Sequence, residues 1–176
     1  MLEKNRDGAN ALLEILEEQE RILVFDSFTN ADALKLGIIL TQVCKDTSSP
    51  LSMRVFIGDV IVFQYTMEGD SERRFGWTKR KYNLIKKTSH SSMHGKVRAM
   101  YLNELQDLYE DKDTYGFGCG GFPITVKGKG IVGAAAVSGL PDPEDHKYVV
   151  EALEKMLNVK APVIPKEVDT TWFKNN

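Results

Sequence analysis

Seven basic residues fall within fifteen positions of this chain: Arg73, Arg74, Lys79, Arg80, Lys81, Lys86 and Lys87, with Trp77 and Tyr82 among them. Guanidinium groups grip carboxylates and phosphates through paired hydrogen bonds, and interleaved rings add stacking surface. Such a run can clamp an anion, or it can be the solvated face of a helix. Acidic groups at Glu14, Glu17, Glu18, Glu20 and from Glu104 to Asp113 offer it a mate, and opposite patches on one chain suit self-association. His90 and His94 stand four apart, the spacing of a metal pair on one helix face, although Ser91, Ser92 and Gly95 read as a helix break. Glu14-x-x-Glu17 and Glu17-x-x-Glu20 bring carboxylates onto one helix face, either as a cation surface or as plain exposed acid. Ser91 and Ser92 become nucleophiles only where a base such as His146 comes near.

A second set of chemistry-bearing residues lies in the stretch from Phe117 to His146, which holds half of the chain's 14 glycines and the run Ala134–Ala136. Gly120, Gly121, Ser138 and Gly139 permit backbone approaches that a Cβ forbids. Ser138-Gly139 leads into a helix start, where free amides favour anions, yet Asp142, Glu144 and Asp145 already put negative charge there. Two readings stay open: close packing between strand and helix or between subunits, and a ligand pocket beside the strand. His146 falls in the first turn of that helix or just beyond it. Its neutral imidazole suits a haem iron or a divalent metal shared with Glu144 or Asp145; the alternative is an exposed residue near a cap, or an interface hydrogen bond.

The elements that must position these groups follow from periodicity and punctuation. Helical spacing runs through residues 12–23 and 29–46; Thr29 caps the second helix, Asp32 completes a capping box, and the width of its apolar face predicts deep burial. Residues 51–57 and 60–67 form a hairpin across Gly58-Asp59, and a short extended piece precedes the second helix near 21–28. A basic helix is expected over 77–89 and another from about Gly95. "FPITV" and "GIVGAAAVSG" make a second strand pair across "KGKG". The last helix is expected to be capped by Asp142, with Pro143 first and Glu144 and Asp145 in its first turn. Two hairpins joined by helices predict an α+β domain over 1–160, a central antiparallel sheet flanked by helices. The tail from 161 carries Trp172 and Phe173, which are costly to expose, so it is expected to dock on the body or on a neighbouring subunit.

Length and composition set outer bounds. A chain of 176 residues with 42% hydrophobic and 27% charged residues buries a proper core without disulfides or metal. A net charge of -2 argues against general nucleic-acid affinity. Two cysteines, Cys44 and Cys119, and no secretion-type leader point to a reducing, cytoplasmic setting, and no apolar run has the length of a membrane span.

The pieces "GGFPI", "GIVGAAAVSG" and "PEDH" resemble the haem-degrading-domain family, also called GlcG/HbpS-like. "TKRKYNLIKKTSHSS" is similar to the signature of an uncharacterised branch of it, in which Arg-Lys-x-Asn precedes a Ser-Ser pair. The resemblance spans roughly residues 12–158. It implies a profilin-like α/β/α sandwich that assembles into homo-oligomers, with haem or another small anionic molecule as ligand. On that reading a pocket at a subunit interface would gather Arg80, Lys81, Asn83, Ser91, Ser92, Gly120, Gly121, Ser138, Gly139, Asp145 and His146, with the ligand's carboxylates toward Arg80 and Lys81 and with His146 as the one metal-ligand candidate. The alternative is an assembly or adaptor protein in which these residues are oligomer contacts.

Overall fold

Small side chains sit at the middle of the molecule because helices press on both sides of them. A computed structural model of the chain describes residues 2–70, 72–168 and 171–173. Its elements run α1 (Arg6–Ile22), β1 (Val24–Phe25), α2 (Asn30–Val43), β2 (Ser52–Ile57), β3 (Val60–Thr66), α3 (Glu72–Thr88), α4 (Ser92–Tyr101), α5 (Gln106–Glu110), β4 (Gly121–Val126), β5 (Gly130–Ser138) and α6 (Glu144–Leu157). The five strands form one sheet in the order β1-β4-β5-β2-β3. The sheet is flanked by helices, as the α/β/α sandwich requires, and all its pairings are antiparallel except one. The short β1 runs parallel to β4, so the sheet is mixed at that edge.

Turn chemistry places the hairpins. Gly58 turns β2 into β3 at φ +52°, and Gly128 and Gly130 turn β4 into β5 at +72° and +79°, a region where glycine alone is unstrained. The central strand β5 alternates its small residues between two layers. Ala134 and Ala136 meet Phe56, Tyr82 and Ile85, on the face covered by α3. Ala135 and Val137 join Met53, Val55, Phe122, Leu36, Leu40, Val149 and Leu153 on the face covered by α2 and α6. The room left by the missing bulk is therefore filled by the chain's own helices. Gly133 shows how tight the sheet is: a Cβ there would stand 1.9 Å from the Phe56 carbonyl oxygen.

Several local expectations change in three dimensions. Thr29 and Asp32 do form a capping box, but α2 is not buried all round. Ala33, Leu36, Gly37 and Leu40 face the core, while Leu34 and Ile38 remain 51% and 46% exposed. The helix buries one stripe against a sheet edge and keeps a second apolar stripe outside. Helix α3 begins at Glu72, a turn and more earlier than residue 77. Helix α4 begins at Ser92, capped by the Ser91 hydroxyl accepting from the His94 amide, and Gly95 lies inside it under Leu84. Asp142 does not cap α6. Pro143 precedes the helix instead of opening it, and Asp142 turns away to accept from the Cys119 amide and from Lys96.

The segment after α6 packs back on the body. Ile164, Val168, Trp172 and Phe173 complete a cluster with Ala9, Leu12, Leu13 and Leu16 of α1, Met93 and Val97 of α4, and Cys119.

Candidate functional site

Helix α3 carries Arg73, Arg74, Trp77 and Lys81 at helical spacings of three to four residues, which aligns them on one side. That side faces the end of β5 and the turn into α6. Together they enclose a cleft of about 500 Å³, lined further by Lys96, Phe117, Gly118, Ser138, Gly139, Leu140, Pro141, Asp142 and Asp145. A second hollow, beside the start of α1, is lined by Leu2, Asn5, Gly8 and Pro165 and by the carboxylates of Glu3, Asp7 and Glu167, with no cation among its lining residues.

One buried and one partly buried ion pair floor and wall the cleft. Lys81 Nζ donates to the Val137 carbonyl at 2.6 Å and to Asp145 Oδ2 at 3.2 Å, and both side chains are 3% exposed. Asp145 also accepts from the amides of Gly139 (3.2 Å) and Leu140 (3.0 Å). Burial raises the Asp145 pKa; the Lys81 ammonium and the two amides oppose that rise without cancelling it. Gly120, at φ +107°, has no room for a Cβ, which would stand 2.6 Å from the Asp145 Cβ and 2.6 Å from the Val137 oxygen. The glycine loop is thus spent on letting Lys81 reach Asp145. On the other wall Lys96 Nζ meets Asp142 Oδ2 at 2.5 Å. Burial works against the charge of both, yet the mutual attraction wins, raising the Lys96 pKa and lowering that of Asp142. Arg74 pairs with Asp70 and donates to the Pro50 carbonyl. Arg73 is exposed, and none of the ion pairs among the described residues uses it.

Of the residues expected at the site, Lys81, Ser138, Gly139 and Asp145 line this cleft. Arg80 and Asn83 face elsewhere. Arg80 stacks over Trp77 with its guanidinium 4.1 Å from the ring centre and donates to the Lys112 carbonyl, while Asn83 donates to the Thr114 carbonyl. Both fasten the 111–116 loop to α3. Gly121 donates its amide to the Ser92 hydroxyl at 2.9 Å and packs under Lys81 and Ile85. Ser91 caps α4. Neither serine hydroxyl is bonded to an imidazole among the described residues.

The histidines serve the contact between α1 and its neighbours. His90 Nδ1 meets Glu20 at 2.7 Å and His94 Nε2 meets Glu17 at 3.1 Å, with the two rings stacked at 3.9 Å. The Glu20 bond holds the His90 pKa up, whereas burial brings that of His94 down. His146 is fully buried beside Phe122, where its Nε2 lies 2.8 Å from the Gln19 side-chain oxygen, and it does not line the cleft. No arrangement of three or more His, Cys, Asp or Glu side chains suited to a metal ion occurs among the described residues. Cys119 is fully buried, and burial, then the Asp142 charge, pushes its thiol well above the usual range.

Sequence reasoning grouped Arg73, Arg74 and Trp77 in the basic run but placed the ligand's carboxylates at Arg80 and Lys81, of which only Lys81 lines the cleft. It missed Lys96, Phe117 and Gly118 altogether. The 74–77–81 spacing was the one available signal for the α3 wall.

Residues 28–154 match the profile of the family described as haem degrading protein HbpS-like. The chain belongs to this HbpS-like family. Among curated relatives it is 37% identical over 144 residues to a UPF0303 protein of Streptomyces coelicolor, covering 81% of this chain and 91% of that one. It is 35% identical to a UPF0303 protein of Psychromonas ingrahamii over 147 residues, covering 82% and 92%. Among solved structures the fold resembles the Ybr137w protein, with TM-score 0.76 at 23% identity over 83% of this chain and 87% of that one. HbpS follows with TM-score 0.61 at 20% identity, covering 74% and 89%, and the complex of PduOC with haem with 0.60 at 12%, covering 80% and 100%. At these identities the likeness establishes the HbpS-like fold.

A haem iron is held in proteins by His, Cys, Met or Tyr. None of these lines the cleft of this HbpS-like chain. Its nearest sequence candidate, His146, is sealed in the core and committed to Gln19. The arginines suit a ligand's carboxylates, but the residues present do not fit the iron.

Proposed function

We propose that this chain binds a small anionic molecule in the cleft between the start of α3 and the turn from β5 into α6. The observation that carries the reading is the convergence of four cations, Arg73, Arg74, Lys81 and Lys96, on one cleft, where Asp70, Asp145 and Asp142 pair with Arg74, Lys81 and Lys96. Arg73 is left over to meet the ligand. A volume of about 500 Å³ falls in the range of sites for small organic molecules. Phe117, Leu140, Pro141 and the edge of Trp77 give the ligand an apolar wall. Haem enters as one candidate, supported by the family and by the haem complex of PduOC, and it would be recognised through its carboxylates.

Calorimetric titration with haem and with iron-free protoporphyrin tests this. The expected result is binding of both with like affinity, weakened about tenfold or more by Arg73→Glu, since a charge-assisted hydrogen bond contributes about 1.5–3 kcal/mol. Failure of both to bind, or indifference to Arg73→Glu, sinks the tetrapyrrole form of the reading.

A separate observation favours assembly with further copies of the chain. The edge strand β3 leaves Val60 (64%), Ile61 and Tyr65 exposed, and α2, which packs against β3, leaves Leu34 and Ile38 exposed as well. Unpaired strand edges and exposed apolar side chains are costly to leave in water. We propose that this face is the homo-oligomer contact. Light scattering is expected to give a multiple of the 19.8 kDa chain mass, and Ile61→Lys to reduce it. A monomeric wild-type protein, or an unchanged mass in the variant, would reject the assignment.

A further inference from the structure

Lys96 reaches the cleft from α4, and one side of it is roofed. Its ammonium meets Asp142 on the cleft side and lies 5.1 Å from the centre of the Phe173 ring on the other. Phe173 is buried, and its neighbours tie it down: Tyr101 packs edge-on against Trp172 and donates to its carbonyl, and Lys4 donates to the Thr171 carbonyl. Further back, the Gln19 side-chain amide donates to the Pro162 carbonyl and the Ala161 amide donates to Glu154. The segment therefore has its own anchors on α1, α4 and α6. It also lies beyond residue 154, where the family match ends.

We propose that this C-terminal segment is a strap that completes the cleft, with Phe173 a positioning residue that holds Lys96 against Asp142. This rests on the reading of the cleft as a binding site. A cation over an aromatic face is attracted to the ring, and a ring that excludes water strengthens the ion pair behind it. With the strap in place, Lys96 presents one fixed position to a ligand. Without it the long lysine side chain is free to swing out to solvent, and Asp142 is left facing the anion it should repel.

The experiment is an amine-acylation footprint of the full chain, read by mass spectrometry, on the wild type, Phe173→Tyr and Phe173→Leu. Leucine keeps the apolar volume and removes the ring face. Lys96 is expected to be slow in the wild type and in Phe173→Tyr, and about three to five times faster in Phe173→Leu, the factor that a cation–π contact of this strength supplies. Lys81, shielded independently under β5, reports whether the variant is folded: it should stay unreactive throughout. Titration of the same three proteins with protoporphyrin should show affinity falling by a similar factor in Phe173→Leu alone. A Lys96 that labels rapidly in the wild type, or at the same rate in all three, overturns the proposal. Lys96 uncovered as expected with protoporphyrin affinity unchanged removes the strap from the site. Absence of binding in every protein rejects the cleft reading and the site role of the strap with it, while the labelling still reports the contact itself.

Discussion

Lys81→Met is expected to destabilise the protein by about 3–5 kcal/mol, because it leaves the Asp145 carboxylate buried without its counter-ion. Both side chains are 3% exposed, so water cannot substitute for the missing ammonium. The Val137 carbonyl loses its donor in the same step. Asp145 would still hold the Gly139 and Leu140 amides, but a carboxylate already pushed toward protonation by burial gains nothing to offset the loss. Lys81→Met combined with Asp145→Asn should recover at least half of the stability, since it removes the uncompensated charge and keeps an acceptor for the amides. Urea denaturation of the two single variants and the double variant measures this coupling. Equal and additive losses would mean that the pair does not hold α3, β5 and α6 together. The pair would then be free to serve a ligand, as the sequence first suggested for Lys81.

Acidification is expected to cost about 3 kcal/mol of stability between pH 6.5 and 4, most of it from His146. Burial depresses the His146 pKa from the usual 6.5 to about 4, with the Glu20 and Asp142 charges opposing the fall and Lys147 and Lys81 assisting it. The Nε2–H donates to Gln19, leaving Nδ1 a buried acceptor without a partner among the described residues. Protonating Nδ1 would place a charged donor in the core with nothing to receive it. The unfolded chain takes up that proton near pH 6.5 and the folded chain resists until about pH 4. The stabilisation is therefore complete above pH 6.5 and is lost as the pH falls through the window. His90 acts in the opposite sense: its raised pKa contributes stability below 6.5 that fades as the pH rises through its folded value. Replacing His146 with Gln, which has no proton to gain, should remove most of this loss, leaving the part that His94 contributes through its own lowered pKa, while the opposite effect of His90 persists. A wild-type protein equally stable at pH 4.5 and 6.5 would contradict the buried neutral imidazole.

How much of this was written in local sequence can be judged residue by residue. Thr29 and Asp32 sit three apart and cap α2 because the interaction closes within one turn. Gly58 and the glycines at 128 and 130 place the two hairpins, since only those backbones turn so tightly without strain. The order of elements and the family motifs likewise belong to the chain as written, and so does the presence of a basic helix near a glycine-rich strand end. What the chain alone could not decide was which of its many like charges goes inside. Lys79, Arg80 and Lys81 are neighbours of one sign, and only the arrival of Asp145, 64 positions on, selects Lys81 for burial. Asp142 looked like a cap until Lys96, 46 positions away, supplied a stronger partner. His146 looked like a metal ligand until Gln19, 127 positions away, closed over it. Caps and turns are short-range interactions and leave their mark in adjacent residues; the burial of a charge depends on a counter-ion that only the packing of α3, α6 and the sheet brings within reach.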